Sequence, residues 1–370
     1  MSEATQFDTG FGAGRLPAWL TGPQLPMIAT GAITVLGVGY GLWAWLQASD
    51  IPVRLAERIE VVEALPIRTE PPAEVEEATA EPPPSIEVLE APVEGPQPPA
   101  IGLAPAVAGA PPVDPFEALL VDGPYGQVPT VSGDQTSWTA YQRQSLDLSP
   151  AGRIALVVVG LGLDPELTEA AADLPADIAL AFSPYGDRTA GWMRYARWRG
   201  HEVMMTLPLE PVEYPRVNPG PATLFKDAND DEIKEILAWL MGRGQGYVGF
   251  AGPAGIFGRH PDRFVPIARS LRDHGLALFE LGGTELASAA RPLSLPFQEI
   301  GSRLDGSLAP ADIEAALHAL ERQAIAEGVA VAYTRPYPLV FRMIEEWAAT
   351  LDDEGLALVP LTSTLPAHAG

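Results

Sequence analysis

Six side chains fall just beyond apolar runs of the chain and could act together: Tyr185, Glu210, Glu280, Asp305, Arg335 and Tyr337. Phenol rings, carboxylates and a guanidinium in one place can stack on a sugar face and hydrogen-bond its hydroxyls. The same set fits a rim held together by ordinary ion pairs, because charges withdrawn from water need partners whatever their role. Both readings stand at this level. The histidines His201, His260, His274, His318 and His368 are scattered, with no ligand spacing such as His-x3-His, and are expected as surface or capping residues. With no cysteine in the chain, disulfides, thiolate zinc sites and cysteine nucleophiles are all excluded.

Alternating strands and helices must position these groups. In residues 153–164, Arg-Ile-Ala-Leu-Val-Val-Val-Gly-Leu-Gly-Leu-Asp, an unbroken apolar run from Ile154 to Val159 leads into a turn at Gly160 and Gly162. The lack of polar alternation predicts a strand covered on both faces of a parallel sheet, and in α/β folds the carboxyl end of such a strand is where function sits. Runs at 178–182, 202–207, 246–251, 276–280, 297–300, 329–333 and 356–361 also read as strands. Between them, Asp230 precedes Ile233, Ile236, Leu237 and Leu240 at helical spacing, and Pro261 opens a helix closed by Gly275. Pro310 opens one carrying Ile313, Leu317 and Leu320 as far as Gly328, and Pro338 opens one carrying Phe341, Ile344, Trp347 and Leu351 as far as Gly355. Eight strands alternating with about seven helices predict an α/β fold, a distorted or incompletely closed (β/α) barrel. The pattern strand, Gly160-x-Gly162, helix also suggests a dinucleotide fingerprint. That reading fails because the third glycine position holds Pro165 and the second strand ends in Phe182-Ser183-Pro184, with no acidic ribose ligand.

The chain ahead of this region is of another kind. Residues 1–25 are a short polar tail, expected to be disordered, and residues 26–46 carry no charge. As a helix those 21 residues span about 30 Å, one hydrocarbon thickness, which predicts a transmembrane segment with Trp43 and Trp45 as interfacial anchors. Charge leaves its orientation open, since Arg15 stands on one side and Arg54 and Arg58 on the other; a short tail before a large body is the shape of an outward-facing bacterial anchor. Residues 47–119 are proline-rich and acidic, with no Lys or Arg between Arg68 and Arg143, and read as a stiff spacer. Folded sequence is expected from residue 120 to 370. A net charge of −25 without a basic cluster argues against a nucleic-acid partner.

Several short motifs lie in order along the folded part: Ile154 to Leu163, Asp177-Ile-Ala-Leu-Ala-Phe-Ser-Pro-Tyr185, Gly200-His-Glu-Val203, Leu207-Pro-Leu-Glu-Pro211, Pro219-Gly-Pro-Ala-Thr-Leu224, Tyr247-Val-Gly-Phe250 and Arg335-Pro-Tyr-Pro338. Together they resemble the divergent polysaccharide deacetylase family over about 120–370. The resemblance implies a NodB-like distorted barrel in the bacterial envelope, in a family whose enzymes use a divalent metal to remove acetyl groups from glycans. It also places the family's working positions here. The acidic pair after the first strand falls on Val159 and Gly160, and the histidine before the Pro-Met/Leu-Glu motif falls on Thr206. The histidine of the Asn-x-x-Gly loop falls on Pro253, that of the His-Pro motif falls on Arg335, and the carboxylate after the fifth strand is matched only by Glu280. Valine cannot ligate, proline cannot accept a proton, and arginine repels a cation.

The expectation is therefore a single-pass inner-membrane protein with its C-terminal domain in the periplasm. That domain would have no cofactor, no metal and no catalytic residue, and would bind cell-envelope glycan, peptidoglycan included, or scaffold envelope assembly. Two alternatives remain: an active deacetylase with a new arrangement around Glu280 and Glu210, and a protein-binding scaffold for an envelope hydrolase.

Overall fold

The computed structural model describes residues 97–102, 107–145 and 151–365. The tail 1–25, the apolar segment 26–46, the spacer up to residue 96 and His368 lie outside the described residues. Among the described residues no helix is long and apolar enough to cross a membrane.

An antiparallel hairpin, β1 (Leu120–Gly123) and β2 (Gly126–Pro129), precedes a parallel sheet of nine strands. These are β3 (Gly152–Leu161), β4 (Ala179–Phe182), β5 (Val203–Thr206), β6 (Gly249–Gly252), β7 (Ala277–Leu281), β8 (Phe297–Ile300), β9 (Ser302–Arg303), β10 (Val329–Thr334) and β11 (Leu356–Leu358). Every expected run is a strand; the hairpin and β9 were not expected. The order β8-β7-β6-β5-β4-β3-β10-β9 brings the sheet almost back on itself, because only Gly301 separates β8, paired to β7, from β9, paired to β10. The result is an α/β, near-closed parallel barrel of the NodB-like kind, as expected.

The first barrel strand is long enough to serve three neighbours. One edge of β3 pairs with β10 from Arg153 to Val158. The other is shared: β11 takes Gly152 to Ile154, and β4 takes Val157 to Leu161.

Helices α1 (Pro165–Ala172), α2 (Thr189–Arg199), α3 (Asp230–Met241), α4 (Pro261–Asp273), α5 (Pro310–Glu327) and α6 (Pro338–Ala348) surround the sheet. Local chemistry sets their ends. Pro at the first position needs no N–H partner, and it opens α1, α4, α5 and α6. The start of α3 is fixed one residue before Asp230. The Asn229 side chain accepts the N–H groups of Asp231 and Glu232, and Glu232 returns a bond to the Asn229 N–H at 2.8 Å. Helix α6 ends earlier than the run to Gly355 suggests, and Leu351 falls on a separate 3-10 turn, Leu351–Glu354.

Strand residues alternate between two apolar layers. Ile154, Leu156, Val158, Leu180, Phe182, Val203, Met205 and Leu278 face outward into the layer that holds the helix residues. Ala155, Val157, Val159, Ala179, Ala181, Met204, Ala277, Phe279 and Leu281 fill the barrel interior, where mostly small side chains suit the narrow space. At the amino ends of the strands this interior is plugged by Leu119, Tyr141, Val359 and Leu361. Residues upstream of 120 already pack there: the Phe116 N–H donates to Tyr141 Oη at 2.6 Å, and Asp114 pairs with Arg194. Buried Arg197 donates to the carbonyls of Pro112, Val113 and Gln245.

Candidate functional site

The open end of the barrel is shaped by β3, whose pairing with β4 shifts register between Val159 and Leu161. Gly160 is the extra residue of that bulge. Its φ of +84° is one that a side chain resists, and a Cβ built on it would meet nothing within 4 Å, so it borders open space. Beyond it the Gly162 N–H donates to Thr168 Oγ1 at 2.9 Å and Asp164 caps α1 through the Leu167 N–H at 3.1 Å, which ties the turn to its own helix.

Across the seam where β9 meets β10, a charged cluster stands at the mouth. The Tyr333–Arg303 register puts the two side by side, and Asp305 and Arg335 follow from the two strand ends. Arg303 grips Asp305 with Nε on Oδ1 at 2.9 Å and Nη2 on Oδ2 at 3.0 Å, and Arg335 Nε reaches Oδ2 at 2.6 Å. The guanidinium of Arg335 lies over the Tyr337 ring, 5.3 Å from its centre. The Asp305 carboxylate is fully buried, whereas the arginine side chains are 41% and 52% exposed. Burial works to raise the Asp305 pKa, but the paired guanidinium groups of Arg303 and Arg335 outweigh it and hold the acid below its ordinary range. Tyr333, half-buried, packs on the barrel interior with its hydroxyl beside Gly282, and burial raises its pKa.

Of the six expected rim residues, only Asp305, Arg335 and Tyr337 come together. Tyr185 does not join them: it packs on the outer layer against Trp239, with ring centres 5.8 Å apart, and beneath Gly220. Its hydroxyl accepts the Ala222 N–H at 3.2 Å, and burial lifts its pKa to about 12. Glu210 spends its carboxylate on the Lys226 N–H at 2.9 Å. Glu280 is fully buried and faces outward between Phe279 and Leu281, accepting the Glu285 and Leu286 N–H groups at 2.9 Å each. Burial first, and then the neighbouring Glu285 carboxylate, push its pKa up to about 8. These three side chains are spent on the backbone N–H groups of loops.

The mouth residues that sequence reading missed are Arg303 and Tyr333. Arg303 lies on a two-residue strand with no periodic signal of its own, and Tyr333 closes an apolar run in which it reads as core. Among the described histidines His201 departs from the expected surface or capping role, being enclosed in the interior. His201 is buried, with its ring nitrogens 2.8 and 3.1 Å from the carbonyls of Ile178 and Ala172, and His274 Nδ1 lies 2.7 Å from the Ser270 carbonyl.

The metal that the family's enzymes use does not fit these residues. Val159 is a buried core side chain, Gly160 has none, the Thr206 hydroxyl donates to the Phe182 carbonyl at 3.0 Å, and Arg335 brings a positive charge to the mouth. Pro253 is exposed and has no ligating atom in its side chain. Among the described residues no group of three His, Cys, Asp or Glu side chains could hold a metal ion.

Comparison with known proteins agrees with this fold. Residues 156–365 match the family model described as divergent polysaccharide deacetylase, so the chain belongs to that family. It is 23% identical over 224 residues to the protein YibQ of Escherichia coli K12, called uncharacterized, covering 58% of this chain and 68% of YibQ. Among solved structures it is similar to the uncharacterized protein ATU2773 of Agrobacterium tumefaciens C58, with 29% identity, a TM-score of 0.61, and coverage of 64% of this chain and 99% of that one.

Proposed function

We propose that this family member is a non-catalytic glycan-binding protein, anchored in the inner membrane through residues 26–46 and presenting its barrel to the periplasm. The observation that carries the reading is the exchange at the mouth. Where deacetylation needs carboxylates and histidines to activate a metal-bound water, this chain has Val159, Gly160, Thr206, Pro253 and Arg335. What the mouth offers instead is Tyr333, Arg303 and Arg335, an aromatic ring beside hydrogen-bond donors, which is the chemistry of sugar recognition. The proline-rich, acidic sequence expected as a spacer over residues 47–119 would give the barrel reach beyond the membrane surface.

Sedimentation of the full-length chain with purified peptidoglycan sacculi, together with an assay for acetate release, tests the reading. Wild-type protein is expected in the pellet with no acetate formed. Acetate release above background would overturn the non-catalytic part, and protein that stays in the supernatant would overturn the glycan part. A reporter fused at residue 370 that was active only in the cytoplasm would reverse the orientation.

A further inference from the structure

We propose that the barrel mouth is an anion subsite which takes a carboxylate borne on a sugar, so that the preferred ligand is an acidic glycan. This rests on the glycan reading above and narrows it to a chemical class.

Charge comes first. Two guanidinium groups share one carboxylate, so Arg303, Asp305 and Arg335 leave one positive charge at the mouth of a chain whose net charge is −25. Local positive charge against that background needs a reason. The usual structural reason, neutralising a buried acid, is met by Arg303 alone, which already grips Asp305 with two nitrogens. Arg335 adds a single bond through Nε, and among the described residues its two terminal nitrogens donate no hydrogen bond. Those nitrogens are held in place by the buried carboxylate on one side and by the Tyr337 ring beneath, which removes part of the ordering cost of binding.

The surroundings admit an anion. The Val158–Thr334 register places Val159 and Gly160 beside the start of the Arg335 segment, and neither carries charge. Open space lies off Gly160, so nothing fills the gap a ligand would enter. Glu280, across the seam, turns its oxygens to the N–H groups of its own loop. A carboxylate suits the site better than a phosphate. It is a monoanion that balances the single excess charge, and its two coplanar oxygens match a guanidinium fork. Tyr333, half-buried at the same mouth, supplies a face for the sugar ring that bears it.

The test uses the full-length chain in neutral detergent, titrated with two disaccharides that differ at one group. These are peptide-free N-acetylglucosaminyl-N-acetylmuramic acid, which carries a lactyl carboxylate, and chitobiose, which lacks it; digalacturonate tests a uronic carboxylate in parallel. At least one acidic sugar is expected to bind about tenfold tighter than chitobiose, as one pair of charge-assisted hydrogen bonds supplies. Arg335→Gln should abolish the difference and Arg335→Lys should restore part of it, with thermal midpoints near that of the wild type. Equal binding of acidic and neutral sugars would overturn this inference and leave the glycan reading intact. Failure of every sugar and of sacculi to bind would sink both. If the peptide stem alone, or inorganic phosphate, binds as tightly as the acidic sugar, the sugar carboxylate is not what is recognised.

Discussion

Each end of the barrel buries an acid close to an arginine, and the two ends use the pair differently. At the plugged end Glu202 accepts the Arg143 N–H at 2.8 Å, the Thr362 N–H at 3.0 Å and the Thr362 hydroxyl, under a lid of Leu119, Tyr141 and Leu361. All of those donors are backbone or short side chains, and none reaches water. Burial raises the Glu202 pKa despite them. At the mouth Asp305 is as deeply buried, yet its donors are long guanidinium groups that keep half their surface in solvent, and its pKa falls. A sealed acid can only brace. An acid that holds half-exposed arginines orients donors that remain available to something else.

The largest effect should separate the packed interior from the mouth. Phe279→Ala removes a fully buried ring from inside the barrel and is expected to cost about 3–5 kcal/mol in urea unfolding. Tyr333→Ala, at the open end, should cost roughly 1 kcal/mol, since a partly exposed side chain leaves no sealed cavity. Comparable losses at both sites would erase the distinction between the two ends.

Next in size is Asp305→Asn, which takes the charge from the acceptor of three arginine bonds and should cost about 1.5–3 kcal/mol while loosening both arginines. Binding of acidic sugar should fall with it.

The buried acids should also respond oppositely to pH. Glu202 and Glu280 have raised pKa values when folded, so their contribution is complete below the unfolded carboxylate pKa and is lost as pH rises through the folded value, about 8 for Glu280. Asp305 is depressed, so its contribution is present above the unfolded pKa and is lost as pH falls through the folded one. Glu285→Gln removes one of the causes that raise Glu280 and should move the alkaline fall in stability to lower pH; chemical denaturation from pH 4 to 9 would reveal it. An unchanged profile would mean that Glu285 has no part in the shift.

Arg335→Gln should change stability least, within about 1 kcal/mol, because the side chain is half in water and Arg303 still neutralises Asp305. A loss beyond about 3 kcal/mol would make Arg335 a brace like Arg197 and remove the contrast.

Much of the barrel could be read from the chain because its signals are local. Ile154 to Val159 has no polar residue to suggest an exposed face, and Pro261, Pro310 and Pro338 mark helix starts that the structure keeps. The site was harder to read. Glu280 and Tyr185 lie at strand ends, as functional residues do, but which way a strand-end side chain points depends on one residue of register, and both face the outer layer. Arg303 was invisible because it becomes a neighbour of Arg335 only when the strand breaks at Gly301 and β9 pairs with β10. The absent donors at Val159 and Gly160 were legible because the side chain alone decides whether a position can ligate.

The division of one edge of β3 between β4 and β11 has a consequence for how the molecule is made. Gly152 pairs with Leu356, about two hundred residues later, and the opposite edge waits for β10. On the ribosome, the first barrel strand to emerge is thus among the last to have both flanks filled, and the ring cannot be completed until nearly the whole chain has left the exit tunnel. Assembly of such a ring is slow by topology, and a stop codon placed just after residue 355 should yield a chain whose oldest strand lies bare along half of one side.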